Sequence, residues 1–288
     1  MGNEIKKNIN RLDYYIKIHT CTQSMDKHSF LHIKKDFHKN IIEVALHNIG
    51  EYILLLKRVF AKPENGPYFR KQIVNEMNGL GIDSLLIVSV ISVFMGAVIT
   101  IQTNLQVENP LLPSWTIGFV VRQSVVLEFA PTIISVFLAG KIGSRIASEI
   151  GTMKVTEQVD ALETMGINSA SHLIFPKVIA CSVINPLLII ISIFLGLLGG
   201  WFACEFLGII PSSQYIEGIR SWFVARDIYY AVFKTFVFAF LMSSISGYWG
   251  YTTQGGALEV GKSSTKAVVN SSFMILLFDL VLTDLFLG

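Results

Sequence analysis

Apolar runs long enough to cross a bilayer alternate with short polar stretches from residue 84 to the end of the chain. Asp83 and Glu108 enclose 24 uncharged residues, about 36 Å as a helix, enough to cross with some tilt. Ser92, Thr100, Gln102 and Thr103 make the second half of this run polar, which predicts that it faces protein or a cavity. Pro110, Pro113 and Trp115 then mark an interfacial turn. A second run covers 117–140. The third and cleanest holds 27 uncharged residues between Lys177 and Glu205, where Gly196 and Gly200 permit close helix packing. A fourth covers 235–256, with Ser243, Gly247 and Tyr251 repeating every four residues, and a fifth covers 267–287. Ahead of them, Ile49, Tyr52, Ile53, Leu56 and Phe60 recur at helical spacing but are interrupted by charge. That predicts an amphipathic helix over 41–60 in the headgroup layer, broken at Lys62–Gly66, with Phe69-Arg70-Lys71 leading toward the first span. The expected fold is all-α and polytopic: an interfacial helix followed by five membrane-spanning helices.

Between the second and third runs lies Gly140–Gly166, whose density of charge neither run could hold in lipid. On a helical wheel Val155, Val159, Leu162 and Met165 fall on one side, and Glu157, Asp160, Glu163 and Thr164 on the other. Thr156 is placed to cap the first turn, with Glu157 and Asp160 near the positive end of the helix dipole. The pattern predicts a short amphipathic helix at a membrane surface, acidic face outward. Taken alone, it is equally well explained as a surface helix joining two spans.

Composition agrees with a membrane protein: 52% of the 288 residues are hydrophobic and 15% charged, with a mean hydropathy of +0.54. The net charge of +2 implies no nucleic-acid partner. Thirteen of the 23 Lys and Arg residues lie in the first 83 positions, which places the N-terminus in the cytoplasm, the C-terminus outside and the acidic segment in the cytoplasm. Residues 1–40 read as a solvated basic extension without a cleavable signal. Among their histidines, His28, His32 and His38 have no cysteine or carboxylate cluster to complete a metal site. Cys21, Cys181 and Cys204 form no disulfide framework.

Few residues carry chemistry. Glu128, three positions before Pro131, lies in mid-span, where an ionised side chain costs about 2.5–3.5 kcal/mol on insertion scales. It either faces a cavity or partner, or ties helices through a hydrogen bond; the residues leave both open. Ser272, Asp279 and Thr283 fall on one face of the fifth run, a polar stripe best read as a helix–helix contact, while Asp284 lies near the outer end within reach of water. Gly256-Ala-Leu-Glu-Val-Gly261-Lys262-Ser263 satisfies the phosphate-loop pattern, but that motif requires a preceding strand inside an α/β domain, and here it joins two spans. Zinc-protease and nucleophile-elbow motifs are absent.

The wording of Gly140–Gly166 resembles the signature of MlaE/YrbE-type permeases, the membrane subunits of ABC lipid transporters that work with MCE-domain proteins. Glu128-x-x-Pro131 with Ala139-Gly140 and Gly143-Ser144 resembles that family's second span, although Phe129-Ala130 replaces an expected Leu-Gly. Gly256, Ala257, Gly261 and Ala267-Val268-Val269 resemble its loop before the last span. The likeness covers roughly 45–288. It implies a permease domain over 41–288 with a cytoplasmic coupling segment over 141–177, in a homodimer in the bacterial inner membrane. Two copies of a separate cytoplasmic ATPase would drive it, and a periplasmic MCE-domain protein would exchange phospholipid or a related lipid, a system that serves outer-membrane lipid asymmetry. On this reading Glu149, Gly151, Thr156, Glu157, Asp160, Glu163, Met165 and Gly166 form the ATPase contact, and Glu128, Pro131 and Ser135 line a lipid cavity. The chain is no enzyme and holds no cofactor, ATP belonging to the partner. The alternatives are a stand-alone secondary transporter, disfavoured because five spans do not divide into equal halves, and a membrane enzyme of lipid metabolism, disfavoured by the missing motifs.

Overall fold

The computed structural model describes residues 46–61, 66–107 and 113–287; expectations for 1–45, including those for His28, His32, His38 and Cys21, lie outside them. The chain divides into two compact units, Met1–Leu54 and Leu55–Gly288. All regular elements among the described residues are helices, and five are long and apolar enough to cross a membrane. Residues 46–59 form α1. The spans are α2 (Gly66–Gln106), α3 (Trp115–Val155), α5 (Ser169–Leu207), α7 (Ala225–Tyr251) and α8 (Ala257–Leu287), with the short helices α4 (Gln158–Thr164) and α6 (Ser212–Arg220) in two of the connections.

Every span begins or ends further out than charge counting predicted. α2 starts at Gly66 rather than 84, since Pro67 occupies the first helical turn, where its missing N–H costs nothing. α3 runs past the expected stop at Gly140 to Val155, because Ile142, Ile146, Ala147 and Ile150 continue one fully buried stripe. The segment outside the bundle thus shrinks from 141–177 to 156–168. α5, α7 and α8 each start about ten residues early, and the reason for α5 and α7 is that Lys177 and Lys234, taken as boundaries, are buried inside the helices. In α3 the hydrogen bonding shifts to a π register over Val125–Ile133 and Ala139–Gly143; the first stretch absorbs Pro131, which has no N–H to donate.

α2 and α5 run parallel and in register, residue i beside i+100. Gln72 Nε2 donates to His172 O (3.3 Å) and Ser92 Oγ to Ser192 Oγ (2.8 Å). A Cβ on Gly96 would overlap Gly196 O, and one on Gly199 would overlap Val93 O, so the two backbones touch. Gly196 meets the expectation of close packing, and Gly200 accommodates the buried Tyr215 of α6. α7 packs against α3, α5 and α8, with Phe238 and Met242 in the core. Leu55 and Val59, the α1 residues of the larger unit that meet that core, are followed by Phe60, which stacks on Phe240. Of the residues expected on its apolar face, Ile49 and Ile53 are exposed.

Candidate functional site

α7 carries Lys234 at zero exposure, the one charged residue of that helix beyond its first turn. Its ammonium lies 2.5 Å from Asp279 Oδ1 of α8 and 3.2 Å from both carboxylate oxygens of Glu128 of α3. It also donates to Leu127 O (3.2 Å) and Thr283 Oγ1 (3.3 Å). Thr132 Oγ1 donates to Asp279 Oδ1 at 2.8 Å and lies 3.4 Å from Glu128 Oε2. Tyr230 completes the shell, its hydroxyl 3.1 Å from Thr283 Oγ1 and its ring 5.5 Å from the ammonium. Burying one charge alone in such surroundings is prohibitive; a cation between two carboxylates is tolerated because each charge is paired and hydrogen-bonded. The three are not equally enclosed. The Glu128 side chain is 45% exposed and that of Asp279 17%.

A second buried lysine stands nearer the other end. Lys177 of α5, 3% exposed, pairs with Glu76 of α2 at 2.6 Å and Glu149 of α3 at 2.8 Å. Between them the two lysines tie all five spans, with α3 common to both. Arg145 of α3 adds a more exposed link to α2 through Asp83 (2.8 Å) and Gly79 O (2.8 Å).

Around 156–168 the chain reverses by two left-handed residues. Glu157 opens α4 at φ +62°, and Gly166 closes it at φ +79°. Gly166 N–H donates to Glu163 O and Ile167 N–H to Leu162 O, the paired bonds of a Schellman ending, which glycine at this position permits. Thr156 does not cap α4: its hydroxyl donates back to Thr152 O at 2.9 Å, at the end of the preceding helix. Val159 is buried as the pattern required, but Met165 is 66% exposed, because α4 is only seven residues long and Met165 lies past its last turn. Glu157, Asp160, Glu163 and Thr164 are exposed, Asp160 pairing with Lys154 at 2.6 Å. Glu163 Oε1 accepts from Ser169 Oγ and Tyr251 OH, each at 2.9 Å. Those donors hold its carboxyl below the usual range. The turn is thereby latched to the start of α5 and the end of α7. Gly151 lies against Thr253 and Val260, where an added Cβ would press on both.

Of the remaining candidates, Pro131 and Ser135 are buried inside the subunit behind Glu128, Ser135 being 1% exposed, and Ser272 is half-buried on α8. The phosphate-loop pattern lies on the first turns of α8, preceded by no strand among the described residues. Lys262 there pairs with Glu259 at 2.6 Å, three residues away. Among the described residues no group of His, Cys, Asp and Glu could hold a metal ion. Sequence reasoning missed Lys234, Lys177 and Thr132. The signal available was Glu128 itself, since a cation on another span is one of the partners that make a carboxylate in a span tolerable.

Residues 73–285 match the family described as Permease MlaE. A probable ABC transporter permease protein of Rickettsia bellii is 34% identical over 256 residues, 89% of this chain and 98% of its own length. One of Synechocystis is 35% identical over 232 residues, 80% of this chain and 87% of its own. The Arabidopsis thaliana chloroplast protein named TRIGALACTOSYLDIACYLGLYCEROL 1 is 34% identical over 218 residues, 74% of this chain and 61% of its own. Five apolar spans, two buried lysines each held between two carboxylates, and family likeness across nearly the whole bundle together make this chain a multi-pass member of the MlaE permease family of ABC transporters.

Proposed function

We propose that this permease moves phospholipid or a related lipid between the bacterial inner membrane and a periplasmic MCE-domain carrier. It works as a homodimer with its N-terminus in the cytoplasm, driven by a separate cytoplasmic ATPase that supplies the ATP site. The observation that carries this reading is the exposed 156–168 turn, latched through Glu163 to α5 and α7 while Lys177 joins Glu149 of α3 to α2 and α5. A push on such a turn reaches every wall of the bundle. Glu149, Gly151, Thr156, Glu157, Asp160, Glu163, Met165 and Gly166 form or back the ATPase contact. Lipid as cargo is supported by one relative that bears the name of a glycolipid, and by the half-open carboxylate of Glu128 against its buried partner Lys234. Glu128 then stands at the wall of a lipid cavity between subunits, with Pro131 and Ser135 shaping the helix behind it.

A photoreactive residue at 128 tests the cavity in membranes holding the assembled transporter. Lipid labelling should differ from that at position 194, where Phe194 lies on the outward face of α5 and is 63% exposed, by falling when ATP turnover is allowed. Equal labelling at both positions, unchanged by ATP, would refute the cavity. Retention of a soluble ATPase on the purified permease tests the motor, and a chain that transports lipid without one would refute it.

A further inference from the structure

Where α7 ends and α8 begins there is a cavity of about 130 Å³ lined by Trp249, Thr252, Thr253, Glu259, Lys262 and Lys266. Its walls are fixed from behind. Thr252 Oγ1 donates to Tyr248 O and Thr253 Oγ1 to Trp249 O, both at 2.8 Å, and Ser263 Oγ bonds the same Trp249 carbonyl. Lys262 is neutralised by Glu259. Lys266 is not: its ammonium lies 5.4 Å from the centre of the Trp249 ring, and among the described residues no carboxylate pairs with it. The lining therefore carries one surplus positive charge, close to the positive N-terminal end of a 31-residue helix. The space equals about four water molecules, on the scale of a single phosphate group. Trp and Lys together are residues of the membrane–water boundary, where the ring lies at headgroup depth, and a basic pocket between spans at that depth suits an acidic headgroup.

We infer that this cavity binds the phosphate group of an anionic phospholipid. The site would be occupied by lipid already resident in one leaflet, apart from any transported molecule. It adjoins the 156–168 turn, since Thr253 of its lining touches Gly151 and Tyr251 of the same helix end holds Glu163. The inference uses only the position of this end of the bundle at a bilayer surface, so its failure leaves the transport reading untouched.

Tryptophan emission of the full chain in a non-ionic detergent reads the site directly. Phosphatidylglycerol should give a saturable change that is absent in Trp249→Phe, about tenfold weaker in Lys266→Ala and retained in Lys266→Arg. Glu259→Gln should tighten it several-fold by removing the only carboxylate of the lining. An equal response to zwitterionic phosphatidylcholine, or one that Lys266→Ala leaves unchanged, would overturn the site. Inorganic phosphate binding as tightly as the lipid would overturn the headgroup as its source.

Discussion

Lys234 and Asp279, 45 positions apart in sequence and on adjacent spans, hold their charged atoms 2.5 Å apart with the lysine entirely buried. Removing only the cation leaves two carboxylates facing each other in a space built for three groups. Lys234→Ala should cost about 3–5 kcal/mol, the range for breaking one partner of a buried pair, and read as a large fall in the thermal midpoint in detergent. Asp279→Asn should cost less, because Glu128 still balances the lysine. Equal midpoints for wild type and Lys234→Ala would mean the cluster is not buried as charge.

The glycine contacts between α2 and α5 make a sharper comparison. Gly96→Ala places a methyl into the backbone of Gly196 and should destabilise by at least the about 1–3 kcal/mol typical of overpacking. Gly140→Ala meets nothing within 4 Å and should be neutral or stabilising by up to about 1 kcal/mol. If both behave alike in thermal unfolding, the two spans are not in backbone contact.

Acidification should weaken the latch at Glu163. Its folded carboxyl is held below the ordinary range by Ser169 and Tyr251, so its contribution is present above that range and lost as pH falls through the folded value. The difference in thermal midpoint between wild type and Glu163→Gln should be largest at neutral pH and narrow as pH falls below the ordinary carboxylate range. Tyr251→Phe should shrink it throughout. A gap that does not narrow on acidification would rule out an ionised latch.

Reversing Glu157 and Asp160 to lysine should uncouple the transporter without unfolding it. Both side chains are exposed, and the single pair lost, Asp160 with Lys154, is of the surface kind worth about 0–1 kcal/mol. The measurement is ATPase retention and lipid-stimulated ATP hydrolysis. Unchanged values for both would remove this turn from the motor contact.

Lys262→Ala should leave nucleotide binding by the assembled transporter intact, because its ammonium is engaged with Glu259 on a helix and no phosphate-cradling loop surrounds it. Specific ATP binding by the isolated permease, lost on this substitution, would contradict that geometry.

Much of the fold was legible because span length and the absence of charge are local properties. Five helices, the close approach of Gly196 and the buried side of Val159 all follow from spacing alone. What failed was the use of Lys177 and Lys234 as edges. The penalty for a lone charge in lipid is a property of one residue, but the relief from a partner is a property of the folded bundle, and the partners lie 28 to 106 positions away. The same gap hid the meeting of Glu128 and Asp279 on one ammonium. Thr156 misled for a smaller reason: its hydroxyl had two backbones to choose from, and the carbonyl behind it was nearer.

The parallel register of the first and third spans also limits traffic through the wall. Where Gly96 meets Gly196 and Gly199 meets Val93, the seam has no room for one extra carbon, so an acyl chain several ångströms wide has no passage there. Any lipid that leaves the bilayer through this subunit has to do so without parting those two helices.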